Sequence, residues 1–264
     1  MKQMLLALWR FRHFVLASIK SDLKGRYARS RLGALWFILN PLAQAAIFAL
    51  ILSEVLGARL PGVESKSAYA VYLMAGTAAW GLFSEIVTRS TNIFIEYANV
   101  MKKITFPRIC LPVIVGGSAL LNHVLLLLAI FVVFVFFGHL PGKAVLVLPL
   151  GIVLITLFAF GLGVLLGIFN VFNRDVSQVL NVALQIWFWL TPIVYPAEVV
   201  PKHMQWALQV NPMAPLVRLY QQAMLYGQWP EWSTLFVPAL FALGFGLLTL
   251  VVFIRANADL VDAL

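Results

Sequence analysis

Long uncharged apolar runs are the feature that most constrains this chain. Residues 109–137 and 144–171 contain no Asp, Glu, Lys or Arg and consist mainly of large aliphatic and aromatic side chains. A run of ~20 apolar residues is long enough to cross a hydrocarbon layer of ~30 Å as a helix. A membrane barrel would instead show short segments that alternate between apolar and polar residues. The continuous runs therefore predict an all-α polytopic membrane protein.

The composition supports lipid as the solvent. The chain of 264 residues is 62% hydrophobic and 11% charged, whereas a soluble domain has about 25% charged residues. We interpret the net charge of +9 as a signal of topology and of contact with anionic membrane lipids, and not as a nucleic-acid interface. The first 33 residues are too long and too charged for the start of a signal peptide, so the first span is expected to be an uncleaved anchor.

The apolar pattern predicts six transmembrane helices in a single domain that covers residues 1–264. The expected spans are residues 32–56, 68–96, 109–137, 144–171, 179–195 and 232–254. The domain then consists of an interface helix (1–31), spans one to five (32–195), an outer segment (196–231), span six (232–254) and a tail (255–264). Basic residues are concentrated in 1–31 and 97–108, so the positive-inside rule predicts that both termini are cytoplasmic.

The basic N-terminal segment has an apolar stripe. Its members recur at helical spacing and are Met4, Leu8, Phe11, Val15, Ile19 and Leu23. A basic helix with one apolar face is typical of a helix that lies in the membrane interface. An ordinary positively charged flank is compatible with the same pattern, but the stripe favours the interface helix.

The outer segment, residues 196–231, contains prolines at positions 196, 201, 212, 215 and 230. Two short amphipathic stretches, 204–210 and 216–226, are separated by Asn211-Pro212. Non-helical backbone at membrane depth must be buried in protein or face water. The segment therefore indicates two half-inserted helices beside a vestibule.

Span five has a polar face. Four residues follow one another at intervals of three or four positions: Gln178, Asn181, Gln185 and Phe188. One side of the helix is therefore polar towards its N-terminus and aromatic towards its C-terminus. Membrane amides commonly form hydrogen bonds between helices. Together with the broken outer segment, the pattern favours a stripe that faces a polar cargo, because aromatic rings stack on flat ligands and tolerate sliding.

Two further patterns lie within the predicted spans. Glu85 and Arg89 are four residues apart and can form an ion pair. That pair is either a polar site that faces a pore or partner, or an internal pair with a structural role. Ala159, Gly163 and Gly167 form a small-residue face that predicts close helix packing, within one subunit or between subunits.

Catalytic motifs are absent from the sequence. It has no GxxxxGK[ST] phosphate loop, no His pair at metal-binding spacing and no pair of carboxylates on an outer loop. We therefore expect no enzyme activity, no bound metal and no cofactor in this chain. The loop 97–108 is short and basic and ends in Phe106-Pro107-Arg108, which suits either a plain cytoplasmic loop or a docking helix for a soluble motor.

Four blocks of sequence resemble a known family. They are RYARSRLGALWFILNPLAQ (26–44), Phe106-Pro107-Arg108, NRDVSQ through LTPIVYP (173–196) and NPMAPLVRLY (211–220). Spread in order over most of the chain, they resemble the permease subunit of ABC-2 type polysaccharide exporters, which move O-antigen, capsular polysaccharide or teichoic acid.

The resemblance implies partners and a location that the composition does not show. Two copies of the chain should form a pore in the bacterial cytoplasmic membrane, and two separate ATPase subunits should bind ATP and Mg. The cargo should be a glycan linked to undecaprenyl diphosphate. The outer segment should form gating helices, and the ATPase should dock on a coupling loop that contains Lys102, Lys103, Phe106, Pro107 and Arg108.

The resemblance also gives roles to charged and aromatic residues. Arg26, Arg29 and Arg31 should receive the diphosphate, because arginine can bind phosphate with two parallel hydrogen bonds. The amides of span five and the aromatic residues around it should form the glycan path: Trp36, Trp80, Gln178, Asn181, Gln185, Trp187, Phe188, Trp189 and Tyr195. The alternatives are an ABC-2 exporter of a drug, a lipid or a small molecule, a membrane glycosyltransferase, and a structural scaffold.

Overall fold

The computed structural model describes residues 6, 8–27, 33–36, 39, 43, 47, 66–103, 106–136, 138 and 142–256. All regular secondary structure in these ranges is helical, which confirms the predicted all-α class. Most of predicted span one, the tail after 256, Arg29 and Arg31 lie outside the described residues, as does the side chain of Arg26.

Nine α-helices organise the part of the chain that the structure describes. In chain order they are α1 (Arg12–Tyr27), α2 (Lys66–Glu96), α3 (Ala98–Lys103), α4 (Cys110–Phe136), α5 (Leu148–Phe172), α6 (Asp175–Leu190), α7 (Gln205–Val210), α8 (Met213–Gln221) and α9 (Phe236–Ala256). Short 3₁₀ turns precede α5 and α9, and a π-helical turn, Gln222–Tyr226, extends α8.

Four helices in the described ranges are long and apolar enough to cross a membrane. They cover Ala68–Glu96, Cys110–Val135, Lys143–Phe172 and Trp232–Arg255. These bounds lie within a few residues of predicted spans two, three, four and six.

Predicted span five has different bounds in the structure. Helix α6 begins at Asp175 and ends at Leu190, so it has 16 residues and stops before Tyr195. The reason is Pro192, which lacks an amide hydrogen and favours extended backbone at the residue before it. Thr191 has this conformation, with φ −103° and ψ 134°.

Helix α2 is the central element of the bundle. Its side chains Leu73, Phe83 and Ile86 are completely buried, and it packs mainly against α5, α4 and α8. Gly163 of α5 allows a close approach to α2, because a Cβ atom at that position would stand 2.8 Å from the Cβ atom of Ser90. Gly167 and the fully buried Ala159 lie on the same face of α5, and the Cβ position of Gly167 is close to the backbone of Ser90.

Helix α1 lies against the bundle at the end where α2 finishes and α4 starts. Its apolar stripe packs on Cys110 and Ile114, with Phe106 beside them. The members of the stripe in this contact are Leu8, Phe11, Val15, Ile19 and Leu23. The stripe therefore faces protein, and other apolar side chains of this segment, including Leu6, Trp9 and Leu16, are exposed. We call this end of the bundle the basic end, since α1, α3, Arg174 and Arg255 lie there.

Candidate functional site

A charged network joins three helices in the half of the bundle nearer the basic end, and its members on α2 and α4 lie within candidate spans. Arg89 Nη2 of α2 lies 2.9 Å from Asp22 Oδ2 of α1, and Arg89 Nη1 lies 3.5 Å from Glu85 Oε1. Asn122 of α4 donates from Nδ2 to Glu85 Oε2 at 3.0 Å. Helical spacing identified Glu85 and Arg89, but Asp22 and Asn122 are distant in sequence and no local pattern links them to the pair.

In its described residues, the predicted coupling loop contains a short helix and a hydrogen-bonded turn. Helix α3 ends at Lys103, and after it the Cys110 and Leu111 amides donate to the carbonyls of Pro107 and Arg108 at 2.9 and 3.1 Å. The Phe106 ring lies 5.4 Å from that of Phe14 on α1. Of the basic side chains, Lys102 is exposed, Arg108 is half-buried and that of Lys103 is not described.

The amide face of α6 points away from the subunit. Gln178, Asn181 and Gln185 are exposed and form no hydrogen bond with the described part of the chain. Around them stand apolar side chains that are also exposed: Val179, Val182, Ile186 and Trp189. Only Leu180 and Leu184 of this helix are buried, so α6 presents most of its surface outwards.

The predicted aromatic path is divided between the core and the surface. Trp80 and Trp187 pack in an interior cluster with Phe83 and Phe158, and Phe188 lies 5.8 Å from Trp80 between ring centres. Other members are open to the surroundings: Trp189 is 63% exposed and Trp36 is 38% exposed. Tyr195 is half-buried and donates to the Trp189 carbonyl at 2.7 Å.

Helix geometry explains this division. Adjacent helical residues are about 100° apart around the axis, so two residues separated by one position point in nearly opposite directions. Trp187 therefore faces the bundle while Trp189 faces outwards. A run of three aromatic residues cannot line one path from a regular helix.

Asn211 connects the end of α6 with the outer segment. Its Oδ1 accepts hydrogen bonds from Trp187 Nε1 at 2.9 Å and from the Met213 amide at 2.9 Å. Its Nδ2 donates to Thr191 Oγ1 at 3.0 Å and to the Leu190 carbonyl at 3.3 Å. The predicted break at Asn211-Pro212 is present between α7 and α8, and this side chain holds it in place.

Helix α2 supplies partners for the non-helical backbone after α6. The Tyr69 hydroxyl donates to the Val194 carbonyl at 2.6 Å, and the Tyr72 hydroxyl reaches the Pro192 and Tyr195 carbonyls at 3.3 and 3.1 Å. Gln221 Nε2 also donates to Pro192, at 3.2 Å. Unpaired carbonyl groups are costly at membrane depth, so these bonds stabilise a break that a regular span could not contain.

The charged network can be tested by a double-mutant cycle. We expect Asp22→Asn and Arg89→Gln to be coupled by about 1 kcal/mol, since both side chains are partly exposed and one guanidinium serves two carboxylates. Unfolding of the purified protein in detergent measures the coupling, and Glu96→Gln, an exposed carboxyl change on α2, is the matched control. Additive effects of the two substitutions would contradict a shared network.

The role of Asn211 leads to a second prediction. Asn211→Ala leaves the Trp187 Nε1 donor without its acceptor, so we expect the free energy of unfolding to fall by about 1–3 kcal/mol. Thermal unfolding in nanodiscs measures the loss, and His203→Ala in the same outer segment is the control. Equal stability of the two variants would show that Asn211 does not hold the break.

Comparison with known proteins agrees with this architecture. Residues 13–225 match the family described as ABC-2 type transporter. The O-antigen export system permease protein RfbA of Klebsiella pneumoniae is 31% identical over 78% of both chains, and that of Myxococcus xanthus is 27% identical over 81% of both. The polysialic acid transport protein KpsM of Escherichia coli is 24% identical over 84% of this chain and 85% of its own.

Permeases of this type work with a separate ATPase subunit. With its candidate spans and a match over most of its length, this chain belongs to the ABC-2 type transporter family, as a transport component of the bacterial inner membrane and not a catalytic subunit.

Proposed function

We propose that two copies of this chain form the membrane pore of an ATP-driven exporter of lipid-linked polysaccharide, with O-antigen on undecaprenyl diphosphate as the cargo. The observation that carries this proposal is the similarity to O-antigen export permeases over most of the chain. The basic end is cytoplasmic in this arrangement, six spans include residues 32–56, and the whole chain acts as one domain. The similarity to a polysialic acid transport protein makes capsular polysaccharide the second candidate cargo.

The exposed amide face of α6 supports a pore between two copies. Amide side chains are costly in hydrocarbon without partners, and Gln178, Asn181 and Gln185 have none among the described residues. If a second copy stands opposite, with a water-filled path between them, these amides can bind water and sugar hydroxyl groups. The glycan would then contact the aromatic residues at the surface, which are Trp189, Trp36 and Tyr195. The interior cluster would pack behind them and keep them in position, and its members are Trp80, Trp187 and Phe188.

Cargo entry is proposed at the basic end. Helix α1 finishes at Tyr27, so Arg26 lies in its last turn and Arg29 and Arg31 follow closely. Three guanidinium groups in this short stretch suit a diphosphate at the inner membrane surface. This is the step at which the lipid carrier would be recognised.

We propose that the coupling loop receives the conformational change that ATP binding and hydrolysis cause in the ATPase. Two ATPase subunits would bind ATP and Mg, and each would dock on α3 and on the turn that contains Phe106, Pro107 and Arg108. Phe106 contacts α1 and lies beside Cys110 at the start of α4, and the Arg89 network connects α1 with α2. A displacement of α3 therefore has a packed route to α2, whose other end holds the outer segment.

The proposed function is tested by deleting the gene and restoring it on a plasmid. We expect the deletion to remove glycan from the cell surface while finished lipid-linked polymer accumulates at the cytoplasmic face of the membrane. Purification of the restored protein in mild detergent should recover a P-loop ATPase and a diphosphate-linked glycan. Accumulation of unpolymerised precursor would favour a synthase, and normal surface glycan in the deletion strain would exclude the export role.

Phe106→Ala tests the coupling route. Loss of the ring removes the contact with α1, so we expect transport per ATP hydrolysed to fall about tenfold, within the usual range of coupling free energies. Transport and ATP hydrolysis are measured in vesicles that contain the complete complex. Phe172→Ala, an exposed aromatic change near the same end, is the control. An unchanged ratio of transport to hydrolysis in Phe106→Ala would remove this loop from the mechanism.

A further inference from the structure

A cavity of about 680 Å³ opens at the end of the bundle opposite the basic end. It lies within one copy of the chain, between the outer segment, the start of α2 and the beginning of α9. Volumes of ~300–1,000 Å³ are typical of small-molecule sites. The amide face of α6 does not line this cavity, so it is a separate feature from the proposed pore wall. The lining residues that matter here are Tyr72, Glu198, Gln209, Arg218, Gln222, Tyr226 and Gln228.

Several of the polar side chains that line the cavity have no partner in the protein, whereas Tyr72 and Gln221 are hydrogen-bonded to the Pro192 carbonyl. The side chains of four lining residues form no hydrogen bond in the described ranges: Gln209, Arg218, Gln222 and Gln228. Glu198 likewise has no ion pair or hydrogen bond there. The cavity thus presents amide donors, amide acceptors, one guanidinium group and one carboxylate.

Arg218, Gln222 and Tyr226 stand on a well-packed helical stretch formed by α8 and the π-helical turn that follows it. Leu216, Leu219, Tyr220 and Met224 of the same helical stretch are completely buried. Tyr220 is further held by a hydrogen bond of 3.0 Å with His123 of α4. Binding groups on a fixed frame lose little conformational entropy when a ligand arrives.

A π-helical turn directs two of the cavity residues. The turn Gln222–Tyr226 ends at Gly227, whose φ of 63° allows the chain to reverse, and the Gln228 amide donates back to the Gln222 carbonyl at 3.1 Å. This backbone bond holds Gln222 and Gln228 close together, and both line the cavity. Single π-helical turns often occur at functional sites.

The mixture of groups selects a class of ligand. A diphosphate offers only acceptors and negative charge, so Arg218 would attract it while the Glu198 carboxylate would oppose it and the amide oxygens would find no donor. A sugar has hydroxyl groups that donate and accept, and a ring face that can lie on an aromatic side chain. Tyr226 is 40% exposed and can supply that surface. Burial and the nearby Glu198 raise the pKa of Tyr226, so its hydroxyl group remains protonated and can also donate.

We propose that this cavity is a carbohydrate-binding site that holds a short segment of the glycan as it leaves the pore. The proposal rests on the proposed export function and adds a site outside the pore wall. The enclosed volume suits a few sugar units and not a long polymer. Successive repeats would bind and dissociate in turn, since neutral hydrogen bonds of this kind are individually weak.

Photocrosslinking in cells that export glycan tests the site. A benzophenone amino acid replaces Tyr226 in one strain and Gln228 in another, with the complete transporter and its ATPase present. Trp206 carries the same replacement as the matched control, because it is 66% exposed in the outer segment and does not line the cavity. Adducts are detected as carbohydrate-stained species of increased mass, and surface glycan is measured in the same cells.

We expect carbohydrate adducts at positions 226 and 228 and few at 206. Adding Gln222→Leu to the position-228 strain should reduce the adduct yield about fivefold, the loss expected for one neutral hydrogen bond. Adducts with phospholipid alone, equal yields at 206, or no adduct in cells that export normally would overturn the site while leaving the export function intact. Failure of the unmodified chain to restore any surface glycan would instead overturn the export function on which the site rests.

Discussion

The close packing of α2 against α5 is the contact on which the rest of the bundle depends. It requires glycine at position 163, because the α2 backbone and Ser90 leave no space for a larger side chain. Once α2 is held in this position, Arg89 near one end reaches Asp22 of α1. Near the other end, Tyr69 and Tyr72 reach the carbonyl groups after α6. The charged network and the support of the outer segment are thus properties of a single well-buried helix.

The outer segment shows how a membrane protein can contain broken backbone. Hydrocarbon offers no hydrogen-bond partners, so each free carbonyl group needs one from the protein. Hydroxyl groups from α2 and amides from Gln221 and Asn211 donate to the carbonyl groups of Leu190, Pro192, Val194 and Tyr195, where α6 ends and the outer segment begins. The same arrangement leaves several other amides unpaired around an open cavity. A segment that is rigid in its backbone and polar in its free side chains is well suited to contact a hydrated cargo.

Features that depend on neighbouring residues alone, such as the length of an apolar run or the position of a proline, could be predicted from the sequence. Four spans lie within a few residues of their predicted bounds, and the break at Asn211-Pro212 is present, since apolar run length and proline chemistry are local. The prediction was wrong about the end of span five, where Pro192 stops α6 at Leu190. It also grouped Trp187 with Trp189, although a regular helix directs one into the core and the other outwards. Asp22 and Asn122 had no local signal, and the broken outer segment indicated a vestibule without identifying which side chains line the cavity.

The sequence by itself determined that the chain is helical, that it crosses a membrane, and which family it resembles. These follow from continuous apolar runs and from motifs that are read along the chain. Only the tertiary structure decided which polar groups meet. Asp22 and Arg89 are 67 positions apart, and Tyr72 and the Tyr195 carbonyl are 123 positions apart. Such pairings depend on how helices pack side by side, and the packing is set by side-chain shape over the whole interface and not by any single stretch of sequence.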